Sequence, residues 1–178
     1  LIPRASSGLT KPVVVDIPPF FCIHRGDAWE AADGRVHVVT SAWDLRDPTH
    51  FPPDLDTVPF LGAWSGPAPD FKRIPPSLLF ETVVDPATGT LVSHENPQPV
   101  RGLCIEHPHV DGSGKVWASL ANDRGVSSPP SGYVCYDLKT GSVERWYAGP
   151  RKFCEELVVA PKGEGEEGAW LLALIYDA

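Results

Sequence analysis

The chain has 178 residues, room for one domain core or part of a larger one. Its formal charge of -8 opposes binding to nucleic-acid phosphates and docking to an anionic membrane by charge alone, while leaving peripheral membrane contact through an apolar patch open. The 20 prolines and 16 glycines exclude an architecture of long helices and favour short strands with many turns.

The first element expected lies in PPFFCIHRGDAWE, residues 18–30, where His24 ends an apolar run. A lone histidine leaving a buried strand is commonly a satisfied core residue; it is also a way to present a metal ligand at a rim. Trp29 to Trp43 then reads as two strands around an Asp33-Gly34 turn. Residues 50–76 carry seven prolines, too many for a central strand, and are expected to form an irregular loop, with a lid or apolar tunnel wall as the alternative.

Leu78 to Val92 and Tyr133 to Trp146 each read as a hairpin and share the pattern D-x-x-T-G-x-[LV], at Asp85 to Leu91 and Asp137 to Val143. The two aspartates lie 52 residues apart. Between them, a strand pair flanks Asp111 to Gly114, and a final apolar run spans Ala169 to Tyr176. Hairpins recurring at roughly 40–50 residues are the signature of propeller blades. A plain β-sandwich carries similar hairpins, and two matching units do not separate the two architectures.

The candidate chemistry lies in three places. His24 is the first. Glu106-His107-Pro108-His109 is the second; in a regular strand His107 and His109 share one face, as half a metal site would require, and Glu106 faces the other way. Glu155-Glu156, entering the apolar run Leu157 to Pro161, is the third. His37, His50 and His94 have no neighbours at a ligand spacing and read as ordinary surface or edge residues. The glycines of KGEGEEGAW, residues 162–170, sit among acids with no helix following, so this segment reads as an exposed acidic turn rather than a phosphate cradle. Cys22, Cys104, Cys135 and Cys154 form no C-x-x-C and are expected to be buried free thiols. With no methionine and Leu1 at the start, a piece of a longer protein is expected. No apolar run is long enough to cross a bilayer as a helix, and the first residues lack the pattern of a signal peptide.

In this order, the three stretches resemble the carotenoid cleavage oxygenases, above all their plant 9-cis-epoxycarotenoid dioxygenase branch. His24-Arg25-Gly26-Asp27-Ala28-Trp29-Glu30 is similar to the family's H-x-x-N-A-[FYW]-E. Gly102 to Pro108 is similar to its Glu-centred stretch, and Glu155 to Pro161 with Glu166-Glu167-Gly168 and Leu171 to Asp177 to its G-E-P-x-F-x-P, acidic loop and closing strand. Asp27 stands where Asn is usual, Glu155 where Gly is, and Leu157 where Pro is. The register leaves Glu155 and Glu156 as alternatives, with Glu156 preferred.

The resemblance implies an all-β fold, part of a seven-bladed β-propeller whose four axial histidines hold Fe(II). It implies that His24 is one iron ligand and that Glu106 and Glu156 are carboxylates behind the ligands, each accepting an imidazole N–H. Two further histidines are expected before Leu1 and a fourth after Ala178. The implied reaction is cleavage by O₂ of a conjugated double bond in a carotenoid or apocarotenoid, in a plastid if the plant-like branch is the right one. A non-catalytic, degenerate propeller serving as an interaction module and an isomerase of the same superfamily are the alternatives, and a hydrolase on a β-sandwich lacks any nucleophile constellation.

Overall fold

A computed structural model describes residues 11–51, 70–163 and 168–178. The described residues are all-β, apart from one turn of 3-10 helix at Gln98–Val100. The strands are β1 (Phe20–Glu30), β2 (Val36–Asp44), β3 (Leu78–Asp85), β4 (Thr90–Glu95), β5 (Cys104–Val110), β6 (Lys115–Asn122), β7 (Gly132–Asp137), β8 (Val143–Tyr147), β9 (Lys152–Pro161) and β10 (Ala169–Asp177). They form two four-stranded antiparallel meanders, β1-β2-β3-β4 and β5-β6-β7-β8, and a two-stranded β9-β10 sheet. Two consecutive up-and-down sheets followed by the start of a third form an open part of a β-propeller, not a closed ring. Most of the proline-rich segment, residues 52–69, lies outside the described residues, as do residues 164–167 of the acidic turn.

The repeated D-x-x-T-G pattern builds the same turn twice. The Asp85 carboxylate accepts from the amides of Ala87 (2.8 Å) and Thr88 (3.3 Å), and the Asp137 carboxylate from those of Lys139 (2.8 Å) and Thr140 (2.9 Å). The glycine amide then donates to the aspartate carbonyl, at 2.9 Å from Gly89 and 2.8 Å from Gly141. Both glycines have positive φ, 69° and 73°, a conformation that a Cβ disfavours.

Residues of β2, β3, β5, β6 and β7, together with Val100 and Leu103 before β5, meet between the two sheets. Val39, Leu79, Val100, Leu103, Ile105, Val116, Ala118, Leu120, Val134 and Tyr136 meet there in one buried cluster. That seam is the main core, and dry packing of this kind is worth ~25 cal/mol per Å² of apolar surface buried. A backbone bond across it, Ile105 N–H to the Ser77 carbonyl (2.8 Å), ties β5 of the second sheet to the start of β3 in the first. All four cysteines are free thiols as expected; three are buried and Cys22 is half-buried. Burial raises each of their pKa values, which leaves them poor nucleophiles.

Two histidines depart from their expected surface positions. His94 is buried, 7% exposed, with its ring 4.8 Å from both Phe20 and Phe80 and Nδ1 hydrogen-bonded to the Thr82 hydroxyl at 2.8 Å. His37 is partly buried, stacked on Trp29 and 2.9 Å from Glu81. Strand neighbours decided both cases: His94 faces Thr82 directly across the β3–β4 ladder, and His37 faces Trp29 across β1–β2. His50 is held in a local turn by Asp47 at 2.9 Å.

Candidate metal centre

β1, β5 and β9, the first strands of their sheets, lie side by side. Each is irregular where the sequence places a candidate residue. In β1 the register slips between Cys22 and His24, and again between Arg25 and Ala28. In β5 it slips between Glu106 and His109. In β9 it slips opposite Ala173–Ile175, so that Glu155 and Glu156 share the bulge between buried Cys154 and buried Leu157. A bulge re-aims the side chains next to it, which is why bulges gather beside functional sites.

The β5 bulge overturns strict alternation. His107 adopts the left-handed conformation (φ 49°), uncommon for a residue other than glycine, and Pro108 follows it. Consecutive side chains Glu106 and His107 therefore both reach His24. Glu106 Oε2 lies 3.5 Å from His24 Nε2, and the His107 ring centroid lies 4.0 Å from that of His24, tilted by 40°. His109 turns elsewhere, with Nδ1 3.0 Å from Asp27 Oδ2. The two imidazoles of H-x-H do not share one site. Asp27, where the resemblance led us to expect Asn, also accepts the Val110 amide at 2.7 Å, so its carboxylate bridges β1 and β5. Gly26 permits this approach: a Cβ there would lie 2.8 Å from the Pro108 carbonyl oxygen and 3.0 Å from that of Val39.

Burial dominates the electrostatics. It pushes the Glu106 carboxyl up to about 7, opposed only in part by the neighbouring Ser77 hydroxyl, which is itself buried and short of good hydrogen-bond geometry. Burial also lowers the His24 pKa; a charge on His107 lowers it further, and the charge of Glu156 raises it. A carboxyl that resists ionisation beside an imidazole that resists protonation does not form a full ion pair near neutral pH. Glu106 Oε2 is buried with no hydrogen-bond partner among the described residues, and the hydroxyls of Ser77 and of Ser41, directly across from His24 in the β1–β2 ladder, share that state. Buried polar atoms left unsatisfied on Glu106, on its neighbour Ser77 and on the ladder partner of His24 call for an explanation.

Glu156 is exposed on β9 and lines a cleft of about 230 Å³ with Gly26, Asp27, Pro108 and His109. It is the member of the acidic pair whose charge reaches His24, whereas the charge of Glu155 acts on Tyr133, whose hydroxyl donates to the Glu155 carbonyl at 3.1 Å. Among the described residues, no three His, Cys, Asp or Glu side chains come together closely enough to enclose a metal ion. The arrangement fits one share of a metal site: a neutral imidazole with a buried carboxylate behind it, whose free oxygen matches an imidazole N–H. It does not fit a whole coordination sphere.

The sequence profile of the retinal pigment epithelial membrane protein family matches residues 1–178. The chain belongs to that family, the carotenoid oxygenases. Among solved structures, cobalt-substituted apocarotenoid oxygenase from Synechocystis is similar, with a TM-score of 0.73 and 22% identity over 99% of this chain and 34% of that one. A Glu-to-Gln variant of the same Synechocystis enzyme gives a TM-score of 0.67 at 22% identity, covering 88% of this chain and 31% of that one. A chimera of the apocarotenoid oxygenase and the retinal pigment epithelial protein gives 0.66 at 21% identity, with the same 88% and 31% coverage. No curated protein sequence matches the chain. This carotenoid oxygenase chain thus spans about a third of the length of the structures it resembles.

Proposed function

We propose that this chain is part of the propeller domain of a non-haem, Fe(II)-dependent dioxygenase that cleaves a conjugated double bond of a carotenoid or apocarotenoid. The observation that carries the reading is the pairing of His24 Nε2 with the buried, otherwise unpartnered Glu106 Oε2 at 3.5 Å. In this reading His24 is one of the iron's imidazole ligands, and Glu106 and Glu156 are the carboxylates behind the ligands. Bound iron would supply the means of activating O₂ for attack on the polyene.

The chain's own residues do the positioning. Glu106 meets one edge of the His24 ring, and the nitrogen not facing the carboxyl would be the one to hold a metal. Burial disfavours protonation of His24, in the direction a metal ligand needs. The Glu156 charge favours positive charge on the imidazole, partly offsetting that burial. The substitution of Asp for Asn at position 27 is absorbed by two contacts, to Val110 and His109, and so gives no support to a degenerate, non-catalytic propeller.

The test is His24→Ala in the full-length protein, read as iron content after purification and as products from a carotenoid. Loss of iron, together with chain-shortened carbonyl products from the unaltered protein, is expected. Normal iron content in the variant would sink the ligand assignment. A product that keeps every carbon of the substrate would replace cleavage by isomerisation.

A further inference from the structure

The least expected neighbour of His24 is His107, and its hydrogen bonding can be settled by counting protons. The buried hydroxyl of Ser119, 0% exposed, donates to the Glu106 carbonyl at 3.0 Å. A serine hydroxyl has one proton to give. The second contact of that oxygen, at 3.0 Å to His107 Nδ1, must therefore run the other way, with Nδ1–H donating to Ser119. The ring of His107 is fixed at one edge by a fully buried side chain on β6, and its face lies against His24. The left-handed backbone at His107 and the register slip in β5 both serve to bring this ring into the seam.

We propose that His107 is a positioning residue for the metal ligand His24. Ser119 sets the orientation of the His107 ring, that ring sets the plane of His24, and Glu106 then meets the His24 edge. The inference rests on the reading of His24 as a ligand, and it gives the ligand two supports from adjacent residues: a carboxylate at the edge and an aromatic ring at the face. An imidazole free to rotate about its side-chain bonds binds a metal less well than one held in place.

The experiment loads the full-length protein with Co(II), alone and as the variants His24→Ala, Ser119→Ala, His107→Ala and His107→Phe. It follows the visible Co(II) absorption, the rate of Co(II) loss to a chelator, and the melting of the metal-free forms. Ser119→Ala and His107→Ala are expected to lose Co(II) about 10-fold faster or more, with altered absorption bands. Their metal-free melting should stay close to that of the unaltered protein. His107→Phe, which keeps a flat ring against His24, should restore most of the retention. Unchanged Co(II) spectra and release rates in both Ser119→Ala and His107→Ala would overturn the proposal, as would a faster release matched by an equal loss of metal-free stability. Should His107→Ala fail to fold, Ser119→Ala decides alone, because it deletes a single oxygen. Full retention by His24→Ala removes the ligand reading and this inference together; loss from His24→Ala with normal retention in the other variants removes only the inference.

Discussion

At the outer edges of the two complete sheets, the β3–β4 and β7–β8 turns repeat one another almost atom for atom. Each has an aspartate carboxylate accepting two amides and a glycine with φ near 70° closing the turn. At the inner edges, β1 and β5 are both bulged, but at different points and for different side chains: His24 and Asp27 on one, Glu106, His107 and His109 on the other. The outer turns are interchangeable because they need only close a hairpin. The inner strands are individual because each delivers a different group to one place. The slips in β1 at His24 and in β5 after Glu106 fall beside the candidate residues, whereas the slip between Val83 and Val84 in the β3–β4 pair touches none of them.

Substitutions on the two sides should separate accordingly. The largest effect is expected from Glu106→Gln in the full-length protein, with metal retention falling ~10–100-fold while the fold persists. The same change reads out without metal. Folding holds the Glu106 pKa at about 7 against an ordinary 4.5, so between those values the unfolded chain gives up its proton first. Rising pH then favours unfolding, and above pH 7 the full penalty applies, about 3 kcal/mol at most. Melting of the metal-free protein from pH 4 to 8 should show this decline, and the Gln variant should lack it. Next comes Gly26→Ala, which forces β1 away from the Pro108 carbonyl. A loss of ~1–3 kcal/mol by denaturant titration is expected, together with weaker metal binding.

Gly89→Ala and Gly141→Ala should each cost about 1–2 kcal/mol, nearly equally, and leave metal retention alone. Unequal losses, or a metal phenotype from either, would break the division between outer and inner edges. The smallest effect belongs to His94. Burial first, and then the charge of Arg46, hold its pKa below the ordinary 6.5. The unfolded chain therefore takes up a proton first as pH falls through 6.5, and stability declines on the acid side, opposite in sign to the Glu106 effect. His94→Gln should flatten that acid limb in the same melting series.

Much of the scaffold was legible in the residues. The strand pairs around Asp33-Gly34, Asp85 to Leu91, Asp111 to Gly114 and Asp137 to Val143 all formed, because turn chemistry is local and its requirements show in short patterns. His24 and Glu106 were legible only as members of an ordered set of motifs, and the structure brings them within 3.5 Å of each other. The part played by His107 was not legible. Period-two alternation placed it opposite Glu106, and nothing local announces that the chain slips one residue there; the slip depends on pairing with β6 and on packing across the seam to β1. Pro108, which lacks an N–H to give to a ladder, was the available hint. His94 was missed for a related reason: an isolated histidine in a short strand gives no sign of the two phenylalanines that enclose it.

The bond from the Val110 amide to Asp27 joins residues 83 apart in sequence, whereas each hairpin closes between near neighbours. Loop closure over longer stretches is slower and entropically dearer, so the hairpins are expected to form first and the β1–β5 seam late. His24 and Glu106 meet only across that seam. On the reading of His24 as an iron ligand, the last native feature to appear in this region during synthesis or refolding is the one that would take up metal, and metal capture would then time the docking of one sheet onto the next.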